Sequence, residues 1–431
     1  MNTVLLIGAG KSATVLIDYL IAEAQNNTWK VMIADANQQQ VLAKTNNSPF
    51  AEACALDVTN DDERAALIQR ASLVISMMPP ALHFLVAKDC VQFGKHLLTA
   101  SYLDEQIKGL EAAITAKQLL FLCEMGLDPG IDHMSAMLLF DKIKAEAGKI
   151  TSFKSHCGGL IAPESDTNPW HYKISWNPRN VVLAGKAGAV YLQNSQQVKK
   201  DYQQLFADCA EVEFAEIGKL AYYPNRDSLS YIPIYQLEDA ATFIRTTLRY
   251  PAFCNGWQAV VAANLTDETT PVDSSQSFKQ WSAAISPYIT DANRQQLTYL
   301  GLFEDAALPP HAKTSADVLQ YLLETKWIME PADKDMIVML HEIEYQQNNQ
   351  LYKTVSSLLV KGDNSLRTAM AKTVGLPLGI AAKLILNGTI QLTGVHIPIQ
   401  QQVYRPVLAE LEKQGILFKE ETTTITTLQQ S

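Results

Sequence analysis

The chain opens with a short apolar run that leads straight into a glycine-rich turn. The run VLLIG begins at Val4, and the turn GAGKSA that includes its last glycine has the spacing G-x-G-x-x-A. In such a turn the first glycine permits a tight bend, the second lets the backbone approach a pyrophosphate, and the following helix presents N–H groups to the anion. This pattern predicts a dinucleotide-binding site. Its expected residues are Gly8, Ala9, Gly10, Lys11 and Ser12.

Five more short aliphatic runs follow and alternate with helical patterns. The runs are VMIAD, CALDV, LVISMM, HLLTA and LLFLC, and the helical patterns include SATVLIDYLIAEA and DDERAALIQRA. Unbroken aliphatic runs are typical of strands buried on both faces, and strand–helix alternation implies right-handed crossovers. The first third of the chain is therefore predicted to be a Rossmann-like α/β domain with a parallel sheet. An NTPase-type phosphate loop is excluded because it needs glycine at the position of Leu5.

The residues after the next strands are candidates for the rest of the cofactor site, because ligands bind beyond the carboxyl ends of parallel strands. Asp35 ends the second strand, where an acidic side chain binds the ribose hydroxyls and repels a 2′-phosphate. No arginine follows closely, so the sequence favours NAD, with NADP still possible and a turn role for Asp35 as the alternative. Asp57 and Val58 are expected to end the third strand, near the adenine or in a turn, and Met78 follows the fourth strand toward the nicotinamide.

Length, charge and cysteine usage limit the class of protein. The chain has 431 residues, too many for one core, and a net charge of −10 without any run of Lys or Arg. Nucleic acid and anionic membranes are therefore not expected as partners. The longest apolar stretch near the C-terminus is interrupted by Pro377 and Lys383, so no bilayer-spanning segment is expected. Six cysteines without disulfide or zinc spacing indicate a reducing cytoplasm and no metal site.

The pattern changes near Ile150, where further domains are expected. Mixed strand and turn patterns give way to helical ones, and then to a hairpin-like pair, MIVMLHEIEY and LYKTVSSLLVKG, joined by QQNNQ. LRTAMAKTVGLPLGIAAKLILNG predicts two helices that return to the first domain, and the tail TTTITTLQQS is expected to be frayed. The predicted domains are Rossmann-like at 1–130 and 366–431, mixed α/β at 131–250 and 336–365, and a helical insert at 251–335.

The stretch EMGLDPGIDHM follows the sixth strand and places Asp128, Asp132 and His133 around two glycines and a proline. One interpretation is turn chemistry, with Asp132 capping the next helix and His133 packing at its start. The other is an active-site loop, because three successive strands deliver their following loops to one edge of the sheet. The sequence leaves both interpretations open.

Several longer motifs resemble those of saccharopine dehydrogenase, the L-glutamate-forming enzyme. They are spread over nearly the whole chain: GLDPGIDHM, SHCGGLIAPES, YYPNRDS, TLRY and AMAKTVGLPLGIAAKLILNGT. The resemblance implies an NAD(P)-dependent homodimeric oxidoreductase with a Rossmann-like domain, a mixed α/β substrate and dimerisation domain, and a small helical domain. Its reaction, in lysine metabolism, would oxidise the secondary amine of saccharopine reversibly, through an imine, to α-aminoadipate semialdehyde and L-glutamate. Family members that use NADP tend to carry an arginine where this chain has Ala34-Asp35-Ala36.

The same resemblance assigns roles to residues within these motifs. The implied catalytic residues are Asp128, Cys157 and Tyr102. The implied substrate-binding residues are Ser101, Tyr102, Arg226, Thr247 and Arg249, while Trp176 is implied to lie beside the cofactor and the substrate. Saccharopine carries three carboxylates, which require fixed cations, and the planar fork of arginine matches a carboxylate.

Each of these residues also has a purely structural interpretation. Asp128 would look the same as a turn residue before proline, Cys157 as a buried inert thiol, and Tyr102 as a core aromatic. Arg226 would pair with a neighbouring aspartate on the surface, and Arg249 would form a salt bridge between domains. Two other functions remain open: a carboxynorspermidine synthase-like reductase, which needs fewer carboxylate contacts, and a non-catalytic dinucleotide-binding regulatory protein.

Overall fold

The computed structural model describes residues 1–425, which form two compact units. The first unit comprises Met1–Lys142 and Leu366–Leu417, so it contains the glycine-rich turn and a later segment of the chain. The second comprises Ile143–Ser365 and the segment that begins at Phe418. Each unit is built around its own β-sheet.

The strands and helices follow one another along the chain with mostly short connections. The strands are β1 (Thr3–Ile7), β2 (Lys30–Asp35), β3 (Ala51–Ala55), β4 (Leu73–Ser76), β5 (His96–Thr99), β6 (Leu120–Leu122), β7 (Lys149–Ile161), β8 (Ala189–Gln193), β9 (Gln196–Lys200), β10 (Ala210–Phe214), β11 (Gly218–Pro224), β12 (Arg226–Asp227), β13 (Thr242–Arg249), β14 (Asp335–Gln347), β15 (Gln350–Lys361), β16 (Gly394–His396) and β17 (Lys419–Ile425). The helices are α1 (Thr14–Asn27), α2 (Gln38–Thr45), α3 (Asp61–Arg70), α4 (Pro80–Phe93), α5 (Glu105–Lys108), α6 (Glu111–Ala116), α7 (Ile131–Ala145), α8 (Pro178–Val182), α9 (Tyr231–Tyr235), α10 (Pro251–Ala262), α11 (Phe278–Trp281), α12 (Arg294–Leu300), α13 (Ser315–Lys326), α14 (Ala369–Leu386) and α15 (Gln401–Lys413).

The first unit contains a seven-stranded parallel sheet in the order β16-β6-β5-β4-β1-β2-β3. The aliphatic runs in the sequence are buried in it, with helices connecting successive strands, so the predicted Rossmann-like fold is confirmed. The predicted end of the third strand is wrong. That strand ends at Ala55, because Ala51–Ala55 supplies the residues that pair with β2, and Asp57 and Val58 therefore lie in the turn that follows it.

Helix α14 returns to the first unit as one continuous helix, so the prediction of two helices here is wrong. Pro377 lies inside it without ending it, although proline usually kinks or breaks a helix. Two glycines allow close packing on α1, since a Cβ at Gly375 would lie 2.9 Å from Leu16 Cβ and one at Gly379 would lie 2.6 Å from the ring of Tyr19. By length and composition α14 is apolar enough to cross a membrane, but 72% of it is buried inside the protein, as in a core helix.

The second unit contains a mixed sheet whose main path runs β10-β11-β13-β7-β14-β15-β17. The predicted hairpin is confirmed: β14 and β15 pair antiparallel over their whole length, and the turn residues Asn348 and Asn349 both have positive φ. Strand β17 pairs with β15, so the prediction of a frayed tail is wrong for residues 422–425, whose backbone completes the sheet edge. The rest of that tail lies outside the described residues. Helices α10 to α13 fall within 251–335.

Candidate active site

The glycine-rich turn after β1 is the candidate cofactor site of the first unit. Gly8 has φ of +101°, and its N–H donates to the carbonyl of Ala34 at 2.8 Å. A Cβ at Gly8 would lie 3.0 Å from the carbonyl oxygen of Met77, so no larger residue fits there without strain. Gly10 is exposed, and a Cβ on it would meet no atom within 4 Å. The turn is therefore tightly packed toward the sheet and open toward solvent at Gly10.

Asp35 stabilises this turn from the end of β2. Its Oδ2 accepts a hydrogen bond from the N–H of Ala9 at 2.8 Å, and its Oδ1 accepts one from the N–H of Asn37 at 3.0 Å. Both carboxylate oxygens thus have backbone partners within the protein. The side chain links the ends of β1 and β2, and this structural role was the alternative that the sequence left open.

Lys44, near the end of α2, brings a cation to the same turn. Its Nζ donates to the carbonyl oxygens of Ala9 and Gly10, each at 2.7 Å. Burial lowers the pKa of Lys44 to about 8, and the nearby carboxylates of Asp35 and Asp18 act in the opposite direction. No local pattern indicates Lys44, because this lysine reaches the turn from the far end of α2 and not from the position directly after β2.

Three of the predicted site residues meet at the carboxyl ends of β5 and β6. Ser101 and Tyr102 follow β5 and are half-buried, and Asp128 lies in the loop after β6. The hydroxyl of Tyr102 donates to Asp128 Oδ1 at 3.5 Å. The structure therefore brings the phenol and the carboxylate together, although they are 26 positions apart in sequence. This pair can hold a water molecule or a proton at one defined place.

The loop that carries Asp128 is compact and largely buried. The N–H of Gly126 donates to the carbonyl of Pro129 at 3.0 Å, and a Cβ at Gly130 would lie 2.1 Å from the carbonyl oxygen of Gly126. Asp132 is the second residue of α7, and its side chain accepts a hydrogen bond from the preceding N–H of Gly130 at 2.6 Å, so the prediction that it is the N-cap is wrong. Asp128 is half-buried, whereas the other residues from Glu124 to Met137 are buried.

His133, by contrast, is fully buried within the same loop and helix. Its Nε2 lies 2.8 Å from Oε2 of Glu124, and Glu124 Oε1 accepts a hydrogen bond from the N–H of Leu103 at 3.1 Å. These contacts connect the loop after β6 to the loop after β5. The packing interpretation of His133 therefore fits its position, and half-buried Asp128 remains the candidate active-site residue of this stretch.

The remaining predicted cofactor residues of the first unit lie near other strand ends. Asp57 is exposed, and its Oδ1 accepts hydrogen bonds from the N–H and hydroxyl of Thr59 at 2.9 and 2.6 Å. Val58 is buried, and its carbonyl accepts a hydrogen bond from Arg64. Met78 is half-buried after β4 and packs against the core of the first unit.

In the second unit the sheet brings three predicted residues onto neighbouring strands. Cys157 on β7 is paired with Thr247 on β13, and Arg249 follows two positions later on the same face of β13. Arg249 is 4% exposed, and its guanidinium carbon lies 5.3 Å from the ring centroid of Tyr172 and 5.4 Å from that of Phe253.

The charge of Arg249 is not balanced by any carboxylate in the described part of the chain. Its Nη1 donates to the carbonyl of Leu248 at 2.7 Å, and its Nε has no hydrogen-bond partner there. A buried guanidinium without an anion is costly. The salt-bridge interpretation of Arg249 therefore has no partner within residues 1–425, and the group is available to bind an anion.

Trp176 and Arg226 lie elsewhere in the second unit. Trp176 is half-buried, and its indole N–H donates to the hydroxyl of Tyr172 at 3.1 Å. Because the Tyr172 ring also contacts the guanidinium of Arg249, Tyr172 connects Trp176 to Arg249. Arg226 is exposed at the start of β12, has φ of +53° and is paired with Ala189. The structure thus associates Trp176 with the Arg249 group and leaves Arg226 at the surface.

Two family models match most of the chain. The model described as the saccharopine dehydrogenase NADP binding domain matches residues 4–122. The model described as the saccharopine dehydrogenase C-terminal domain matches residues 126–416. The first match ends at the last residue of β6, and the second begins inside the Asp128 loop.

Relatives named saccharopine dehydrogenase match along nearly their whole length. Saccharopine dehydrogenase (NADP+, L-glutamate-forming) of Schizosaccharomyces pombe is 32% identical over 98% of this chain and 99% of that protein. A solved structure, apo saccharopine dehydrogenase (L-Glu forming) from Saccharomyces cerevisiae, has a TM-score of 0.88 and 31% identity and covers 98% of this chain and 100% of that one. Alpha-aminoadipic semialdehyde synthase of Arabidopsis thaliana is 30% identical, and this chain spans only 44% of its length.

The preference for NAD predicted from Asp35 is wrong. The matching nucleotide-domain model is described as NADP binding, and the full-length relatives from both yeasts are named for NADP+. Two features of the structure bear on this preference. The carboxylate of Asp35 is occupied by the backbone N–H groups of Ala9 and Asn37, and the ammonium of Lys44 lies at the same turn, so the acidic side chain does not set the local charge alone.

Proposed function

The chain belongs to the saccharopine dehydrogenase family, and on that basis we propose that it oxidises saccharopine with NADP+ to L-glutamate and α-aminoadipate semialdehyde in lysine metabolism. The match to the L-glutamate-forming enzymes over their full length carries this proposal. The strand ends of the first unit support it, because the glycine-rich turn and the Tyr102–Asp128 pair both lie at the carboxyl edge of one parallel sheet.

The residues around the glycine-rich turn fit NADP. The open space over Gly10 would admit a pyrophosphate, and the N–H groups of the turn that begins at Lys11 would be its donors. We assign Lys44 to the 2′-phosphate, since it is the ammonium that contacts this turn directly. Ser12, Asp57, Val58 and Met78 stay in the proposed cofactor site on the basis of their positions after strand ends.

The chemistry divides between the cofactor and the protein. NADP+, held by the glycine-rich turn and Lys44, would supply the acceptor for hydride from the substrate carbon next to the secondary amine. Asp128 then orients the water that adds to the resulting substrate imine, and its negative charge stabilises the positively charged nitrogen. The hydroxyl of Tyr102 donates a hydrogen bond to Asp128 Oδ1 and helps to position that carboxylate. Collapse of the carbinolamine releases L-glutamate and the semialdehyde.

The second unit supplies the groups that bind the substrate carboxylates. Arg249 is a buried guanidinium without an anion, which a substrate carboxylate would provide. Thr247 lies two positions before Arg249 on β13, and Cys157 is its partner on β7. In our proposal both residues contact the ligand that Arg249 binds. Trp176 borders this group through Tyr172. Arg226, which is exposed, is proposed to bind a second carboxylate.

A steady-state assay with saccharopine tests the proposal directly. We expect the protein to reduce NADP+ when saccharopine is added, with a higher kcat/KM than with NAD+, and to release equal amounts of L-glutamate and semialdehyde. Absence of turnover with either cofactor would show that the protein is not this enzyme. Turnover with a carboxylated polyamine in place of saccharopine would indicate the carboxynorspermidine-type reaction instead.

Arg249 provides a sharper test of substrate binding. Arg249→Met should raise the KM for saccharopine at least about tenfold, because a charged hydrogen bond contributes about 1.5–3 kcal/mol. Its melting temperature should stay the same or rise, since an uncompensated buried charge is removed. Arg245→Met is the matched control: Arg245 is also buried on β13, over the ring of Tyr231, and its loss should lower stability without a comparable change in KM.

We also propose that the protein is a homodimer and acts in the cytoplasm. The homodimer is supported by the family resemblance and by the partly exposed apolar residues Val355 and Leu359 on one face of the second sheet. The cytoplasmic location is supported by the six free cysteines, because free thiols persist in a reducing compartment. Sedimentation at micromolar concentration tests the dimer, and a monomer there would contradict it.

A further inference from the structure

His83 lies between two strand ends of the first unit and contacts a residue of the proposed substrate site. It is in the first turns of α4 and is 2% exposed. Its Nδ1 lies 2.8 Å from the hydroxyl of Ser76, the last residue of β4. Its Nε2 lies 2.7 Å from the hydroxyl of Ser101, which follows β5. Nε2 also makes a longer contact, of 3.3 Å, to Oγ1 of Thr99, the buried last residue of β5. Through its two shortest contacts the imidazole therefore bridges the hydroxyls of Ser76 and Ser101 at the carboxyl edge of the sheet.

Burial keeps this imidazole neutral. It lowers the pKa of His83 to about 4, and the nearby Asp104 carboxylate opposes the shift only weakly. At neutral pH the ring therefore has one N–H donor and one acceptor nitrogen. The two hydroxyls must be arranged accordingly, one as donor to the ring and the other as acceptor from it.

The surroundings of Ser76 decide which nitrogen carries the proton. Ser76 is fully buried, and within residues 1–425 its hydroxyl has no hydrogen-bond partner other than His83 Nδ1. If Nδ1 carried the proton, the hydroxyl proton of Ser76 would be buried without an acceptor, which is unfavourable. A Thr99 hydroxyl that donated to Nε2 would favour the other tautomer, but that contact is 3.3 Å long, against 2.8 Å for Ser76 and 2.7 Å for Ser101. On the shorter contacts Ser76 donates to Nδ1, and the ring proton is on Nε2, where it is donated to Ser101.

This arrangement fixes the direction of the Ser101 hydroxyl. Because Ser101 Oγ accepts the Nε2–H bond, its own proton points away from the ring. The backbone of Ser101 is held as well, since its N–H donates to Thr99 Oγ1 at 3.2 Å and its carbonyl accepts from the N–H of Glu124 at 3.0 Å. Ser101 is thus prepared to donate to an oxygen acceptor.

We propose that His83 is a positioning residue, which orients the Ser101 hydroxyl to donate a hydrogen bond to a carboxylate oxygen of the substrate. The inference rests on the proposed function for the identity of the substrate. It adds a hydrogen-bonded chain of three side chains, Ser76, His83 and Ser101. The buried hydroxyl of Ser76 sets the direction in which the hydrogen bonds are donated along this chain. No step of the redox chemistry passes through His83, which stays neutral throughout.

A double-mutant cycle tests whether His83 acts through Ser101. His83→Asn places its amide near the Nδ1 position and loses the bond to Ser101, so the KM for saccharopine should rise about tenfold. Ser101→Ala should raise it by a similar factor, and the double variant should be no worse than Ser101→Ala alone. His83→Gln, whose amide reaches the Nε2 position, should stay within about threefold of wild type. The Kd for NADPH should be unchanged in all four.

Three results would overturn the proposal. The first is an additive effect of the two substitutions on the KM for saccharopine. The second is a rise in the Kd for NADPH of His83→Asn that is as large as its rise in KM. If His83→Asn does not fold, Ser76→Ala replaces it, and its rise in KM should likewise vanish in the Ser101→Ala background. The third is an Nδ1–H tautomer for His83, measured by long-range ¹H–¹⁵N NMR at pH 7. That measurement needs no turnover, so it separates failure of the inference from failure of the proposed reaction.

Discussion

Asp35 and Lys44 meet different parts of the same glycine-rich turn. The carboxylate accepts the N–H of Ala9, while the ammonium donates to the carbonyl oxygens of Ala9 and Gly10. A residue type at a strand end therefore predicts cofactor choice only when its side chain is free to reach the ribose. Here the acidic residue is used inside the protein, and a cation that is distant in sequence lies beside it.

Substitution of Lys44 tests this assignment by binding alone. Lys44→Gln should raise the Kd for NADPH about 10- to 100-fold and leave the Kd for NADH nearly unchanged, because only the 2′-phosphate requires the charge. Fluorescence titration of the reduced cofactors measures both. The control is Lys30→Gln, at the opposite end of β2, which should change neither value.

The pKa of Lys44 adds a dependence on pH. The ammonium is present below about pH 8 and is lost above it in the free protein, so the Kd for NADPH should increase as the pH rises past about 8. Asp35 and Asp18 are the carboxylates that oppose this loss. Lys44→Gln should show no such increase. An equal pH dependence in both proteins would assign the effect to another group.

At the scale of elements, the turn between β1 and α1 distinguishes a glycine needed for folding from one needed for binding. Gly8→Ala should destabilise the protein by about 1–3 kcal/mol, because φ is +101° and Met77 crowds the added methyl. Gly10→Ala should leave the melting temperature nearly unchanged, since the methyl meets nothing within 4 Å, but weaken NADPH binding at least about tenfold. Equal losses of stability would contradict this distinction.

Two other elements show where local patterns mislead. Pro377 divides the apolar stretch in sequence, yet α14 continues through it because both halves pack into the first unit, with Gly375 and Gly379 against α1. The threonine-rich end of the chain contains too few apolar residues to predict a buried strand. It forms β17 because the edge of β15 offers unpaired backbone groups, which a sequence pattern does not reveal.

At the scale of the whole molecule, each unit should respond to its own ligand. Hydrogen–deuterium exchange with NADPH should slow exchange in the turn after β1 and in α2, because binding stabilises the state that holds the ligand. Saccharopine should slow exchange at the ends of β7 and β13, around Cys157 and Thr247. NADH at the same concentration is the control and should protect α2 less. Protection by NADPH confined to the second unit would contradict the assignment.

The sequence by itself determined the Rossmann-like fold, the position of the glycine-rich turn and the β14–β15 hairpin. These follow from local properties: aliphatic periodicity, glycine spacing and turn residues act on neighbours along the chain. Only the tertiary structure decided that Lys44 reaches the turn, that Arg249 is buried without an anion, and that His83 joins Ser76 to Ser101. Hydrogen bonds and desolvation depend on distances in space, and side chains far apart in sequence meet only once the strands have aligned.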